Sequence, residues 1–307
     1  MMTSYGMNPL RVGLLGTGPW AARTHAPALA AHPAVEFAGV WGRRPEAAGA
    51  LARTYGVKVY ETTSALFADC DAVAFALPPD VQAALAVPAA AAGCHLLLDK
   101  PVATTVAGAR EAADAAERAG VASVVFFTLR FATPSADWIA EQAAADGWFT
   151  ARAQWLGALF APGAGASSPY AGSPWRREKG GLWDVGPHVL SVLMPVLGDV
   201  TSVTAAGGPA GTTHLVLRHA SGASSTATMG LGAPVAAAGV GIEFRGERGV
   251  AVLPEWSDVP GAFGRAVDAL LESARGGVPH ACDLRFGLRV TEVLAEAEEQ
   301  SQARART

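Results

Sequence analysis

Arg11-Val-Gly-Leu-Leu-Gly16-Thr17-Gly18-Pro19-Trp20-Ala21 decides the fold. An apolar run leads into two glycines and then into residues that suit the start of a helix. Gly16, Gly18 and Ala21 fit the G-x-G-x-x-G/A spacing of a dinucleotide site. Gly16 permits a tight turn, and Gly18 lets the backbone approach a pyrophosphate. Ala21 is small enough for close packing of helix on strand. The helix N-terminus favours the anion, and Pro19 suits a first helical turn. Gly16, Thr17, Gly18, Pro19 and Trp20 are therefore candidate cofactor contacts.

Strand and helix alternate outward from this turn. Short runs that are apolar on both faces predict strands over 11–16, 35–41, 72–77, 95–98 and 122–127. Amphipathic periods between them predict helices over 19–31, 45–55, 80–92 and 105–119. Gly120 marks a helix end. This order predicts an α/β fold with a doubly wound parallel Rossmann sheet over residues 1–128. After Arg130 the pattern changes. A helix over 135–145 precedes strand-like runs at 149–157, 201–206, 212–218, 224–229, 240–245 and 250–253, and helices close the chain over 261–275 and 283–303. Turns such as Ala220-Ser-Gly-Ala223 predict hairpins. Residues 129–307 thus read as an α+β domain with an open, mainly antiparallel sheet, for substrate binding and oligomerisation. Ala161 to Pro174 is rich in Gly, Ser and Pro and reads as a mobile loop.

The end of the second strand bears on the cofactor. An NAD site usually places an acid there to bind the ribose. The sequence instead reads Ala38-Gly-Val-Trp-Gly42-Arg43-Arg44, and Glu36 comes too early. Arg43 and Arg44 supply positive charge where a 2′-phosphate would lie. NADP(H) is expected over NAD(H).

Three downstream residues carry acid–base chemistry. Oxidising an alcohol removes the hydroxyl proton while hydride leaves, and the reverse reaction needs a proton donor. His188 has the right intrinsic pKa for either. Lys100 can hold the oxygen and stabilise developing alkoxide charge. Asp184 can orient His188 or bind a substrate hydroxyl. Four residues apart on a helix, Asp184 and His188 share a face. Pro187 between them fits a helix that starts near Asp184.

The sequence resembles the glucose–fructose oxidoreductase/inositol dehydrogenase/MocA family over nearly its whole length. The likeness rests on the glycine fingerprint, Leu77-Pro78-Pro79, Gly93-Cys-His-Leu-Leu-Leu-Asp-Lys-Pro101, Arg130-Phe131, Gly180-Gly-Leu-Trp-Asp184-Val-Gly-Pro-His188 and Asp283-Leu-Arg-Phe-Gly-Leu-Arg-Val290. The family's Glu-Lys-Pro motif stands here as Asp99-Lys100-Pro101, and its Asp-x-x-x-His motif as Asp184 and His188. The resemblance implies an NAD(P)(H)-dependent oxidoreductase acting on a sugar, cyclitol or related polyhydroxy or carbonyl compound. It adds Leu77, Pro78, Asp99, Lys100 and Pro101 to the cofactor contacts, and implies a homo-oligomer, dimer or tetramer. Departures from the pattern include Asp99 for Glu, Gln82 where a His often stands, and Ser191 where an Asp often stands. They bear on substrate more than on reaction class.

Weaker candidates surround this set. Arg130, Tyr170, Trp175 and Arg176 are candidate substrate contacts, with Arg176 suited to a polar or anionic group. His25 reads equally as a packing residue or a cofactor contact. Val200, Val203, Leu215, Val216 and Leu217 are expected to cover an open sheet face.

Composition sets the outer bounds. The chain has 307 residues, half of them hydrophobic, and a formal net charge of -4. No basic field exists to hold nucleic acid. Cys70, Cys94 and Cys282 lack metal-ligand spacing and an even count, so no metal site is expected and the thiols read as reduced in a cytoplasmic protein. The apolar stretch from Val81 to Leu98 is broken by Pro88, Gly93 and His95, so no membrane segment is expected. Two other readings stay open: a cofactor-binding regulator without turnover, and an enzyme that retains NAD(P) and catalyses net hydrolysis or isomerisation.

Overall fold

The computed structural model describes residues 9–162 and 168–305. The chain forms two compact units, each assembled from separate stretches. The first comprises Met1–Asp99, Glu111–Phe126 and Val259–Leu284; the second comprises Lys100–Arg110, Phe127–Asp258 and Arg285–Thr307.

The first unit is built on six parallel strands: β1 (Leu10–Leu15), β2 (Val35–Trp41), β3 (Lys58–Val59), β4 (Ala72–Phe75), β5 (His95–Asp99) and β6 (Ser123–Phe126). Their order, β3-β2-β1-β4-β5-β6, reverses direction beside β1, as in a doubly wound sheet. Val12, Leu14, Leu15, Val73, Phe75, Leu96 and Leu97 are at most 2% exposed, which accounts for apolar runs without alternation. After β1 the chain makes one π-helical turn, Ala21–His25, and continues as α1 (Ala26–Ala31). α2 (Pro45–Tyr55) ends at Gly56 in the left-handed region, φ 65°. The short β3 and α3 (Thr63–Asp69) were absent from the sequence-based expectation. α4 (Pro79–Ala91) leads to β5, and α5 (Val106–Ala119) to β6.

A later helix completes this unit. α8 (Val259–Gly276) packs on α1, β5 and β6. Its Phe263 meets Phe126 edge to face at 5.1 Å and His25 at 4.1 Å between ring centroids. Burying such a ring contributes about 1.5–3 kcal/mol.

The second unit holds the other sheet. Its strands are β7 (Trp148–Leu156), β8 (Val200–Gly208), β9 (Thr212–His219), β10 (Ser224–Gly230), β11 (Gly239–Gly246) and β12 (Gly249–Val252), in the order β12-β11-β7-β10-β9-β8. Every pair is antiparallel except β7 with β10. α7 (Pro174–Leu197) packs on β7, β9, β10 and α6 (Thr133–Ala143). α9 (Leu284–Ala305) runs to the end of the described chain.

Two expectations need correction. Four of the five residues expected to cover an open sheet face are buried: Val200, Val203, Leu215 and Leu217 are at most 4% exposed. Alternation places them on the inner face, and only Val216, at 51% exposure, points outward. The helical stretch carrying Asp184 begins near it, as expected, just after a break at Gly180 (φ 66°, ψ -160°), but Pro187 lies beyond its first turn. Pro187 therefore lies within the helix and supplies no N–H to the carbonyl one turn earlier. Within the loop expected over Ala161 to Pro174, residues 163–167 lie outside the described residues.

Candidate functional site

The glycine turn belongs to the first unit. Gly16 has φ 119°, and a Cβ there would lie 2.3 Å from the Ala76 carbonyl oxygen. Only glycine fits that approach. A Cβ on Gly18 would meet nothing within 4 Å, so open space borders the turn on that side. Ala21 is fully buried, leaving no room for a larger side chain. Close backbone approach, open space beside Gly18 and a helix start fit a dinucleotide pyrophosphate. A Cβ on Gly42 would lie 2.7 Å from the Thr17 side chain, so the two loops lie against each other.

Arg43 and Arg44 follow the end of β2 and are exposed. Neither has an ion-pair partner among the described residues. Glu36 is the second residue of β2 and pairs with Arg11. It is thus committed away from the strand end. Leu77 and Pro78 connect β4 to α4, with Leu77 half-buried and Pro78 exposed.

Asp99 ends β5 with its side chain and main chain both held. Trp20 Nε1 donates to Asp99 Oδ2. Gln82, fully buried on α4, donates from Nε2 to the Asp99 carbonyl and accepts from the Asp99 N–H, both at 2.8 Å. His25 Nε2 lies 4.0 Å from Asp99 Oδ2. Burial lowers the His25 pKa to about 3, against the opposing pull of the Trp20 and Phe75 main chain. It is a neutral ring packed against Phe263.

The candidate acid–base residues belong to the second unit. Lys100 Nζ lies 2.7 Å from the Asp184 carbonyl oxygen and 3.3 Å from Asp184 Oδ1. Arg176 Nε donates to the same Oδ1 at 3.1 Å. Burial alone would raise the Asp184 carboxyl pKa. Lys100 and Arg176 outweigh it and hold the group below its ordinary value, so Asp184 is ionised. His188, one turn further along α7, is 8% exposed. Burial pushes its pKa well below 6.5, Lys100 adds to that shift and Asp184 opposes it. The ring is neutral at neutral pH, the form that accepts a proton.

Arg176 joins this cluster to two aromatic side chains. Its guanidinium lies 4.6 Å from the Trp175 ring centroid and 5.5 Å from that of Tyr170. Arg130 ends the short turn Thr128–Arg130 and meets a later stretch of α7, with Nη1 donating to the Ser191 carbonyl at 3.3 Å and the guanidinium 6.0 Å from the Phe286 ring. Lys100, Asp184, His188, Arg176, Tyr170 and Trp175 thus form one connected group that does not include Arg130. Pro101 is buried and follows Lys100 through a cis peptide bond.

Trp155 has a place that sequence reasoning missed. It stacks on His188 with ring centroids 4.9 Å apart and 15° between planes. The signal was period two: Ala151, Ala153 and Trp155 alternate toward one face of β7. Among the described residues there is no group of three His, Cys, Asp or Glu side chains able to hold a metal ion, and no helix long and apolar enough to cross a membrane.

Residues 10–127 match the model of an oxidoreductase family with an NAD-binding Rossmann fold. D-glucoside 3-dehydrogenase of Escherichia coli (strain K12) is 29% identical over 210 residues, 64% of this chain and 57% of that enzyme. Galactose 1-dehydrogenase of Pseudomonas fluorescens is 34% identical over 103 residues, 33% of this chain and 32% of that enzyme. The chain thus matches less than two thirds of either relative's length. GenD2 from gentamicin A biosynthesis, solved in complex with NAD, superposes with a TM-score of 0.82 at 21% identity, covering 98% of this chain and 97% of that one. That likeness is one of fold. The glycine turn, the strand order and these matches agree: residues 10–127 of this chain resemble the NAD-binding Rossmann domain of the Gfo/Idh/MocA oxidoreductase family.

Proposed function

We propose that the protein is an NAD(P)(H)-dependent oxidoreductase whose substrate is a sugar, cyclitol or related polyhydroxy or carbonyl compound, with NADP(H) preferred. The observation that carries this reading is the buried cluster of Lys100, Asp184 and neutral His188 in a chain that also holds a dinucleotide turn. Gly16, Thr17, Gly18, Pro19 and Trp20 would hold the pyrophosphate side of the cofactor, with Gly42, Leu77, Pro78 and Asp99 around it. Arg43 and Arg44 would take the 2′-phosphate. When bound, the nicotinamide accepts or returns hydride.

The chain's own residues handle the proton and the oxygen. In the oxidative direction, His188 accepts the hydroxyl proton of the substrate alcohol. Lys100 donates a hydrogen bond to the same oxygen and stabilises its negative charge. Asp184 holds Lys100 and Arg176 in place through its carboxylate. Proton-transfer help of this kind is worth about 10²–10⁴-fold in rate. Tyr170, Trp175 and Arg176 offer aromatic faces and a guanidinium to a polyhydroxy ring. The substrate class is supported by D-glucoside 3-dehydrogenase and galactose 1-dehydrogenase, the names of two relatives.

We further place the protein in the cytoplasm as a homo-oligomer, dimer or tetramer. The three cysteines are free thiols, which fits a reducing compartment. Val216, Val250 and Val252 of the second sheet are each more than half exposed, and self-association would cover them. Light scattering after gel filtration checks the subunit number.

The deciding experiment is a panel of sugars, cyclitols and sugar acids assayed with NADP⁺ and NAD⁺, with reduction followed by absorbance. Turnover of at least one polyhydroxy substrate, with a lower KM for NADP⁺, is expected. Cofactor binding without turnover across the panel in both directions would overturn the enzymatic reading. A lower KM for NAD⁺ would overturn the cofactor preference.

A further inference from the structure

Trp155 carries no acid–base group, yet it is the aromatic partner of the ring proposed to move the proton. Its indole and the His188 imidazole are offset by 4.9 Å between centroids and tilted by only 15°. His188 Nδ1 is buried and finds no hydrogen-bond partner among the described residues. An acid–base histidine is ordinarily oriented by a bond to its second ring nitrogen. Here no described residue supplies that bond, so the ring plane is set by packing. The indole is itself well placed to set it. Trp155 lies on a strand paired on both sides, opposite Met229 of β10 and Val240 of β11. Trp256 backs it at 5.7 Å with a 48° tilt.

We propose that Trp155 is a positioning residue for His188, fixing the plane of the imidazole by face-to-face stacking where a hydrogen bond would ordinarily do so. The inference rests on His188 being the proton acceptor of the reaction proposed above. Lys100 and Asp184 are the charged groups acting on His188. Loss of the indole removes no charge. It frees the ring to rotate and admits water to one of its faces. Misplacing a reacting group by about 1 Å is enough to cost on the order of 100-fold in rate.

The test compares Trp155→Leu, Trp155→Met and Trp155→Phe with the parent enzyme, using the alcohol and cofactor that give turnover in the panel. Trp155→Met keeps bulk without a π face and guards against a Leu variant that does not fold. Leu and Met variants are expected to lose about 10–100-fold in kcat with KM changed by less than about threefold. Trp155→Phe restores most of the rate. In ¹³C-histidine-labelled protein, the His188 ring signal, assigned with His188→Asn, moves downfield in the Leu and Met variants because the indole ring current is gone. Unchanged kcat with an unmoved His188 signal would overturn the inference. So would equal losses in all three variants that track only a lowered Tm. Full turnover by His188→Asn would take down the acid–base reading and this inference together. Loss in His188→Asn beside a fully active, folded Trp155→Met enzyme would take down this inference alone.

Discussion

The Lys100 ammonium reaches Asp184 twice, at 2.7 Å from its main-chain carbonyl and 3.3 Å from its carboxylate. One residue of α7 thus holds the lysine side chain through two contacts. Both side chains are nearly buried, at 11% and 12% exposure, so the pairing is far less screened than a surface ion pair.

Replacing Lys100 by Ala is expected to lower kcat by about 10²-fold or more while leaving cofactor affinity within a few-fold. Steady-state rates and a fluorescence titration with NADPH measure the two effects separately. Full activity in Lys100→Ala would refute its assignment to the reacting oxygen.

The neutral state of His188 sets the pH response. A proton acceptor works in its deprotonated form, and the buried ring keeps that form to well below pH 6.5. Alcohol oxidation is therefore expected to hold its kcat as pH falls through 6.5, with the acid limb appearing only below it. A kcat profile of the parent enzyme checks this. An acid limb centred at or above pH 6.5 would contradict the burial argument.

Gln82 grips the main chain of Asp99 just before Lys100 in the sequence. Gln82→Leu removes two buried hydrogen bonds and is expected to cost roughly 1–3 kcal/mol of stability for each main-chain group affected. It is also expected to lower kcat, because the backbone leading into Lys100 loses its anchor. Gln82→Glu keeps the acceptor for the Asp99 N–H but loses the donor to its carbonyl, and should lie between parent and Gln82→Leu. Thermal melts and kcat together test this.

His25 links stability to pH. Its pKa of about 3 in the folded chain lies below the 6.5 of an exposed histidine. Between these values the unfolded state binds the extra proton, so stability rises with pH across the window and levels off above 6.5. At pH 5 the contribution is a destabilisation of roughly 2 kcal/mol relative to neutral pH. His25→Phe keeps a ring against Phe263 and should flatten the profile by that amount. Urea midpoints at pH 5 and pH 7 make the comparison.

Arg43 and Arg44 offer the clearest test of cofactor choice. Replacing both by Ser is expected to raise the KM for NADP⁺ about tenfold or more, as loss of charge-assisted bonds to a phosphate would, and to leave that for NAD⁺ nearly unchanged. Parallel effects on both cofactors would detach these arginines from the 2′ position.

Much of the first sheet was legible because β4, β5, β6 and most of β1 are buried on both sides and read as apolar runs. β3 has two residues and α3 has seven, too short for either period to show. In the second sheet the alternation of Leu215, Val216 and Leu217 was plain, but alternation does not say which face a helix will cover. The residues proposed for acid–base work were chosen from chemistry and family likeness. Their supports were not legible. Gln82 is 17 residues from Asp99, and Trp155 is held against His188 by tertiary packing between β7 and α7. Neither relation leaves a spacing signature. Gly180 breaks the helical backbone where the stretch carrying Asp184 begins, and the helical turns from Pro174 before it left no signal of their own.

The way the chain weaves between its two units constrains how this protein can be dissected. It passes from one to the other after Asp99, Arg110, Phe126, Asp258 and Leu284. A fragment stopped at residue 128 would lack α8 and strip Phe263 from His25 and Phe126. Grafting the first unit onto another protein, or swapping second units between relatives, calls for several coordinated splice junctions instead of a single cut.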